Sequence, residues 1–163
     1  SYLIQQGHRK IAVLGGPATS YPSMMRRQGA QQAMEDAGIR FEDKLYGLSN
    51  YDFESAYHAM NGLLARRAEF TALFAMSDVI AFGAIRALVS AGLQVPEDVS
   101  VIGFDGITMS RYCVPVMTTI VQPSEQIALQ SIELLVRQIE HGAPAQTVTL
   151  QPELQQGESV RAI

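Results

Sequence analysis

Apolar and polar positions along this chain follow two different periods, and both are clearest between residues 72 and 121. Ala72 to Ala75 is a short apolar run, followed by Ser77 and Asp78, a polar pair of the kind that caps a helix start. From Asp78 onward Ala81, Ala84, Ile85, Leu88 and Val89 recur at helical spacing, and Gly92 predicts a left-handed stop. Pro96 blocks continuation, and Val99 to Phe104 is a second, β-branched run. Strand, helix, strand in that order predicts a βαβ unit with parallel strands and a right-handed crossover. Ser77 and Asp78 then leave the carboxyl end of the first strand, and Asp105 leaves that of the second. In open parallel sheets small ligands bind in the crevice outside those ends.

The same periods extend over the rest of the chain. Tyr2 to Gly7 reads as the last turns of a helix with its glycine stop, so the chain is expected to be cut from a longer protein. His8, one residue past that stop, is expected to be a surface or capping histidine. Lys10 to Pro17 is a buried strand running into a tight turn. A helix from Pro22 to Gly38 follows, with Met25, Gly29, Ala33, Met34 and Ala37 near its inner side. Lys44 to Leu48 is a weak strand. Asp52 caps a helix from Phe53 to about Arg66, on which Ala56, Tyr57, Met60, Leu63 and Leu64 are apolar. Thr118 to Gln122 is a further strand, and Ser124 is expected to cap a helix to about His141. Ile127, Ala128, Ile132, Leu135, Val136 and Ile139 form one side of that helix, and Gly142 ends it. The pattern predicts an α/β fold, a parallel sheet flanked by helices.

Several polar and aromatic groups fall near the carboxyl ends of these strands. Arg26 shares a row with Ala30, Ala33 and Ala37, whose small side chains leave it room to reach the crevice; lying along the helix face fits the spacing equally well. Tyr51 can present an aromatic face to a ligand or staple the next helix, and Phe53 competes for either role. Ser20 and Ser23 fit ligand contact or helix capping alike. Asp78 is read as a helix cap, whereas Asp105 has no helix to cap.

Composition narrows the function classes. At 163 residues and 47% hydrophobic the chain can bury one domain core, and two full domains are not expected. A charged fraction of 17% with net charge −4 supplies no basic surface for tracking phosphates. The single cysteine, Cys113, allows no internal disulfide and fits a reducing cytoplasm. No apolar run approaches the ~20 residues that cross a bilayer, and no signal peptide opens the chain. Gly15-Gly16-Pro17 lacks the glycine spacing of a dinucleotide site, and no nucleophile triad or metal cluster is visible among His8, His58, His141 and the carboxylates. The expectation is therefore a protein that is not an enzyme and carries no cofactor or metal.

A longer ordered string is more specific. Ser77-Asp78, Ala81, Gly83-Ala84, Ala87-Leu88, Gly92-Leu93 and Val95-Pro96-Glu97-Asp98-Val99-Ser100-Val101-Ile102-Gly103-Phe104-Asp105 are followed by Pro115-Val116-Met117-Thr118-Thr119. In this the chain resembles the effector-binding domain of the LacI/GalR transcriptional regulators, which share the type I periplasmic binding protein-like fold. The resemblance implies that Arg26, three residues before Gly29, and Asp105 bind effector oxygens or ring nitrogens. It places Ser77, where the family commonly has asparagine, and Tyr51 in the same pocket, with Ser20 and Ser23 as further candidates. It puts Ile80 and Phe82 at a homodimer contact. Residues 1–121 would form the carboxy-terminal subdomain, 122–143 a crossover and a helix packed in the other subdomain, and 144–163 the return and last strand. Gly106 and Gly157 depart from the family, which has an acid and an arginine there. The implied protein is a cytoplasmic regulator, a repressor of sugar or related metabolism. It binds a sugar, a sugar phosphate or a purine, and reaches operator DNA only through an amino-terminal domain outside these residues. The alternative is a periplasmic-type transport receptor of the same fold.

Overall fold

A computed structural model describes residues 1–163. After a short helix α1 (Tyr2–Gln5), the chain forms β1 (Ile11–Gly15), α2 (Tyr21–Asp36), β2 (Tyr46–Leu48), α3 (Phe53–Ala65), β3 (Ala72–Ala75) and α4 (Asp78–Ser90). It continues through β4 (Ser100–Asp105), β5 (Thr118–Val121), α5 (Ser124–His141) and β6 (Glu153–Gln155). The strands form one sheet in the order β2-β1-β3-β4-β5-β6. The first five are parallel, as the βαβ pattern predicts, and β6 joins the edge antiparallel, Ile120 facing Leu154. The fold is thus the expected α/β type with one antiparallel edge strand.

The strands are short and buried on both faces, which is why they read as continuous apolar runs rather than alternating ones. Leu14, Leu73, Ala75 and Val101 have no exposed surface, nor do Ala56, Met60 and Leu63 of α3 or Ala81, Ala84 and Leu88 of α4. Each large side chain so buried contributes roughly 1.5–3 kcal/mol of transfer free energy. The opposite face carries α1 and α2. There Ile11, Phe74, Ile102, Phe104 and Ile120 line an apolar cavity of about 220 Å³ shared with Ala30, Ala33 and Met34.

Three expectations are corrected. The inner side of α2 is Ser23 and Met34, while Met25, Gly29 and Ala37 are exposed. The small and polar residues of this helix carry too weak a period to orient it. Ser124 does not cap α5: Pro123 precedes the helix, and the Ser124 hydroxyl donates to the Gln122 carbonyl. Lys44 lies in a 3-10 turn, Asp43–Leu45, and pairing starts only at Tyr46.

His8 is also misplaced by its sequence neighbours. It is 1% exposed, with Nδ1 2.9 Å from Thr71 Oγ1 and Nε2 3.1 Å from the Arg161 carbonyl. It therefore ties the last residues to the start of the sheet, helped by the Ile163 N–H, which donates to the Gln6 carbonyl at 2.9 Å. Burial lowers its pKa, and the Arg161 charge lowers it further against the hydrogen bond to the Arg161 carbonyl. The folded form then binds fewer protons than the unfolded one, so stability falls as pH drops below the ordinary imidazole value near 6.5. Melting at pH 7.5 and 5.5 should show a smaller acid-induced loss in His8→Gln than in the unsubstituted protein.

One element stands apart. No residue of α5 is buried, and Ile132, Leu135 and Ile139 are among its exposed apolar side chains. The return segment runs beside it, with Val148 and Leu150 sharing a shallow groove with Ile127 and Leu134.

Candidate functional site

The turn after β1 and the start of α2 are tied by Ser23, whose hydroxyl donates to the Gly16 carbonyl at 3.1 Å. Ser23 is 1% exposed and serves this tie, which takes it out of the crevice, contrary to its place among the ligand candidates. Ser20 precedes the helix in extended conformation without a side-chain cap bond. One turn further on, Arg26 crosses the carboxyl ends of the strands. Its Nη1 donates to the Met76 carbonyl just after β3, and its Nη2 lies 3.4 Å from Asp105 Oδ1. Its guanidinium carbon sits 3.8 Å from the centroid of the Phe104 ring. A planar fork resting on an aromatic face and anchored to a carbonyl is held in one orientation.

Asp105 ends β4 with a φ of +119°, in the region that side chains other than glycine rarely adopt, and Gly106 follows at +72°. Its backbone carbonyl accepts from the Gln122 N–H at 3.1 Å and its Oδ1 from Gln122 Nε2 at 2.6 Å. No protein group donates to Oδ2. Burial pushes this carboxyl up, and Arg26 and Gln122 pull the other way. The Arg26 and Asp105 side chains are 18% and 27% exposed, so the pair is shielded yet open on one side. Such a pair offers a free acceptor and unused guanidinium donors to a ligand with adjacent hydroxyls or ring nitrogens.

The other expected residues fall differently. Ser77 caps α4, accepting from the Ile80 N–H at 3.1 Å, and is 4% exposed. Asp78 is not a cap; its carboxylate is buried and reaches Thr119 and the Ile107 amide. Tyr51 adopts a positive φ of 61° and lays its ring against Gly16, where a Cβ would strike it. Its hydroxyl is buried without a partner. The ring thus packs on the turn after β1 rather than stapling α3, and Phe53 is exposed. Ile80 has no exposed surface and belongs to the core, so it cannot take part in a dimer contact as expected. Phe82 is half-buried and remains on the outer side of α4 with exposed Val89.

Sequence reasoning passed over Gln122 and the Met76 carbonyl. The first was within reach: β4 and β5 run parallel with Asp105 facing Val121, so the residue after Val121 arrives beside Asp105. The second is a backbone group and leaves no mark in the sequence. No group of three or more His, Cys, Asp or Glu side chains could hold a metal ion, and no helix is long and apolar enough to cross a membrane.

Residues 1–160 match the model of the periplasmic binding protein-like domain. This chain belongs to that family. Nearly the whole chain is also similar to part of longer transcriptional regulators, LacI-family proteins among them. The "HTH-type transcriptional repressor PurR" of Histophilus somni (strain 129Pt) is 37% identical over 163 residues, covering 99% of this chain and 49% of that protein. The repressor of the same name from Photorhabdus laumondii is 38% identical over 160 residues, 98% of this chain and 47% of its own length. Among solved structures, a sugar-binding transcriptional regulator of the LacI family from Escherichia coli, complexed with phosphate, superposes with a TM-score of 0.92 at 34% identity. That match covers 99% of this chain and 58% of the other. The CelR–cellobiose complex superposes at 0.93, also at 34% identity, over 97% of this chain and 49% of the other. The chain thus spans about half the length of the curated relatives it matches. These LacI-family relatives are regulators by name, not transport receptors and not enzymes.

Proposed function

We propose that this chain is the effector-binding and dimerising part of a LacI/GalR-type transcriptional regulator, acting as a repressor of sugar or related metabolism in the cytoplasm. The observation that carries the reading is the Arg26–Asp105 pair, held at the carboxyl ends of β1, β3 and β4 with one carboxylate oxygen unoccupied by protein. The effector is a small polyol or heterocycle, a sugar, a sugar phosphate or a purine. Cellobiose in one relative and phosphate in another agree with that range. Tyr51 supplies an apolar wall, and Ser20 lies at the mouth. Ser77, capping α4, shapes the floor. A second wall would come from a part of the protein beyond these residues, and closure of the two walls on the effector would shift the population able to hold operator DNA. DNA contact belongs to an amino-terminal domain, since a net charge of −4 provides no phosphate-tracking surface here. The outer side of α4, with Phe82 and Val89, is the homodimer contact.

Thermal unfolding of the full-length protein against glucose, cellobiose, glucose 6-phosphate, hypoxanthine and guanine tests the reading. A binding compound at a hundredfold excess over its dissociation constant adds about 2.7 kcal/mol to stability, a readily measured rise in melting temperature. Silence across that panel in a folded dimer would remove the pocket assignment.

A further inference from the structure

Asp78 buries a carboxyl group that its position at a helix start does not explain. Ser77 already caps α4, and Asp78 has no exposed surface. Burial disfavours the ionised carboxylate, so partners on both oxygens are needed to keep it there. It has them: Thr119 Oγ1 donates to Oδ1 at 2.5 Å, and the Ile107 N–H donates to Oδ2 at 2.9 Å. Gly103, which faces Thr119 across the β4–β5 ladder, clears the way, because a Cβ there would collide with Asp78 Oδ1. The side chain therefore passes from α4 beneath β4 to reach β5.

The two groups it joins flank Asp105. Ile107 closes the turn that Asp105 and Gly106 make at positive φ, and Thr119 lies on the strand that delivers Gln122. A residue other than glycine in such a conformation is strained and persists only where its surroundings over-determine it. Gln122 holds the turn from one side, and the Asp78 bond to Ile107 holds it from the other.

We propose that Asp78 is a positioning residue for the Asp105 carboxylate, its buried bridge between Thr119 and the Ile107 amide fixing the turn that brings Asp105 to Arg26. The inference rests on the reading of Asp105 as a ligand group. Without the bridge, Asp105 relaxes toward ordinary extended backbone and leaves Arg26.

The charged groups facing Asp105 are Arg26 from α2 and Asp78 from α4. They give opposite expectations for Asp78→Asn. Losing a neighbouring negative charge alone lowers the titration midpoint of Asp105, whereas losing Arg26 raises it. Carbon-13 NMR of full-length protein labelled at the aspartate carboxyl carbon reads that midpoint, with the Asp105 signal identified by its loss in Asp105→Asn. The expected result is an upward move in Asp78→Asn and in Thr119→Val, which keeps every charge, with Thr119→Ser restoring the original value. A downward move in Asp78→Asn with Thr119→Val unmoved overturns the proposal and leaves Asp78 a stabiliser of the fold only. Should Asp78→Asn fail to fold, the two Thr119 variants decide. The ligand reading fails separately: a silent thermal panel with upward midpoints removes effector binding and keeps the positioning role. A responding panel with unmoved midpoints does the reverse.

Discussion

Alanine in place of Asp105 should weaken effector binding to the full-length protein by about 1.5 to 3 kcal/mol, tenfold to more than a hundredfold. The size follows from what remains behind. Arg26 stays in place, because the Met76 carbonyl and the Phe104 ring anchor it without Asp105. Its charge is then left without a counter-ion in a half-buried site, and the ligand loses its only carboxylate acceptor there. Arg26→Ala should cost a similar amount by the converse route, leaving the Asp105 carboxylate with Gln122 alone. The two substitutions touch one network, so their combined effect should fall short of the sum of the single effects. Isothermal titration of the panel compound that raises the melting temperature, carried out with both single variants and the double, checks this. Unchanged affinity in both single variants would remove the site assignment.

Ser159→Ala should cost about 2 to 6 kcal/mol of folding stability, from a single oxygen atom at the far end of the sheet. Ser159 has no exposed surface and sits where β4 and β5 have not yet begun to pair. Its hydroxyl donates to the Val101 carbonyl at 2.6 Å and accepts from the Thr118 N–H at 2.8 Å, and its own carbonyl accepts from the Val101 N–H at 2.7 Å. The terminal segment thus acts as a splice between two parallel strands. Removing the hydroxyl leaves a buried donor and a buried acceptor unpaired, each costing about 1–3 kcal/mol. Urea unfolding should show a lower midpoint at unchanged slope, and Gln156→Ala, three residues away on the surface, should leave the midpoint within error. Equal behaviour of the two variants would mean that the splice carries no stability.

The adjacent departure from the family has a reason in the same place. A side chain at Gly157 would meet the Met117 backbone, with the Met117 carbonyl oxygen 2.7 Å from where its Cβ would lie. Here the segment approaches β5 too closely for the arginine that the family resemblance leads one to expect.

What the sequence made legible divides along a physical line. β3, α4 and the Asp52 cap of α3 come from interactions within a few residues, and period and capping residues report them. The sequence misleads at His8 and Asp78 because their partners lie far off along the chain. His8 meets Thr71 and Arg161, and Asp78 meets Ile107 and Thr119. A carboxylate in the first turn of a helix looks the same in sequence whether it faces water or the next strand but one. The family resemblance places Ile80 at an interface, and a helix apolar nearly all round does not say which of its apolar side chains lies inside and which meets a second protomer. The α2 helix offered the opposite difficulty, a surface too mixed to orient. For the site itself, the Arg26–Asp105 pair came from the family resemblance, and the backbone groups that fix it have no sequence signature.

The exposed helix α5 has a thermodynamic consequence of its own. A helix in water must offset a costly nucleation step, and in proteins most helical stability comes from packing an apolar face rather than from propensity. α5 has 18 residues, none buried, a glycine stop and one Glu133–Arg137 ion pair a turn apart, worth only about 0.3–0.5 kcal/mol. Its helicity would gain most from a surface that covered Ile132, Leu135 and Ile139. Covering and coiling become one event, so uncovering this surface would fray it toward coil rather than slide a rigid rod out of place.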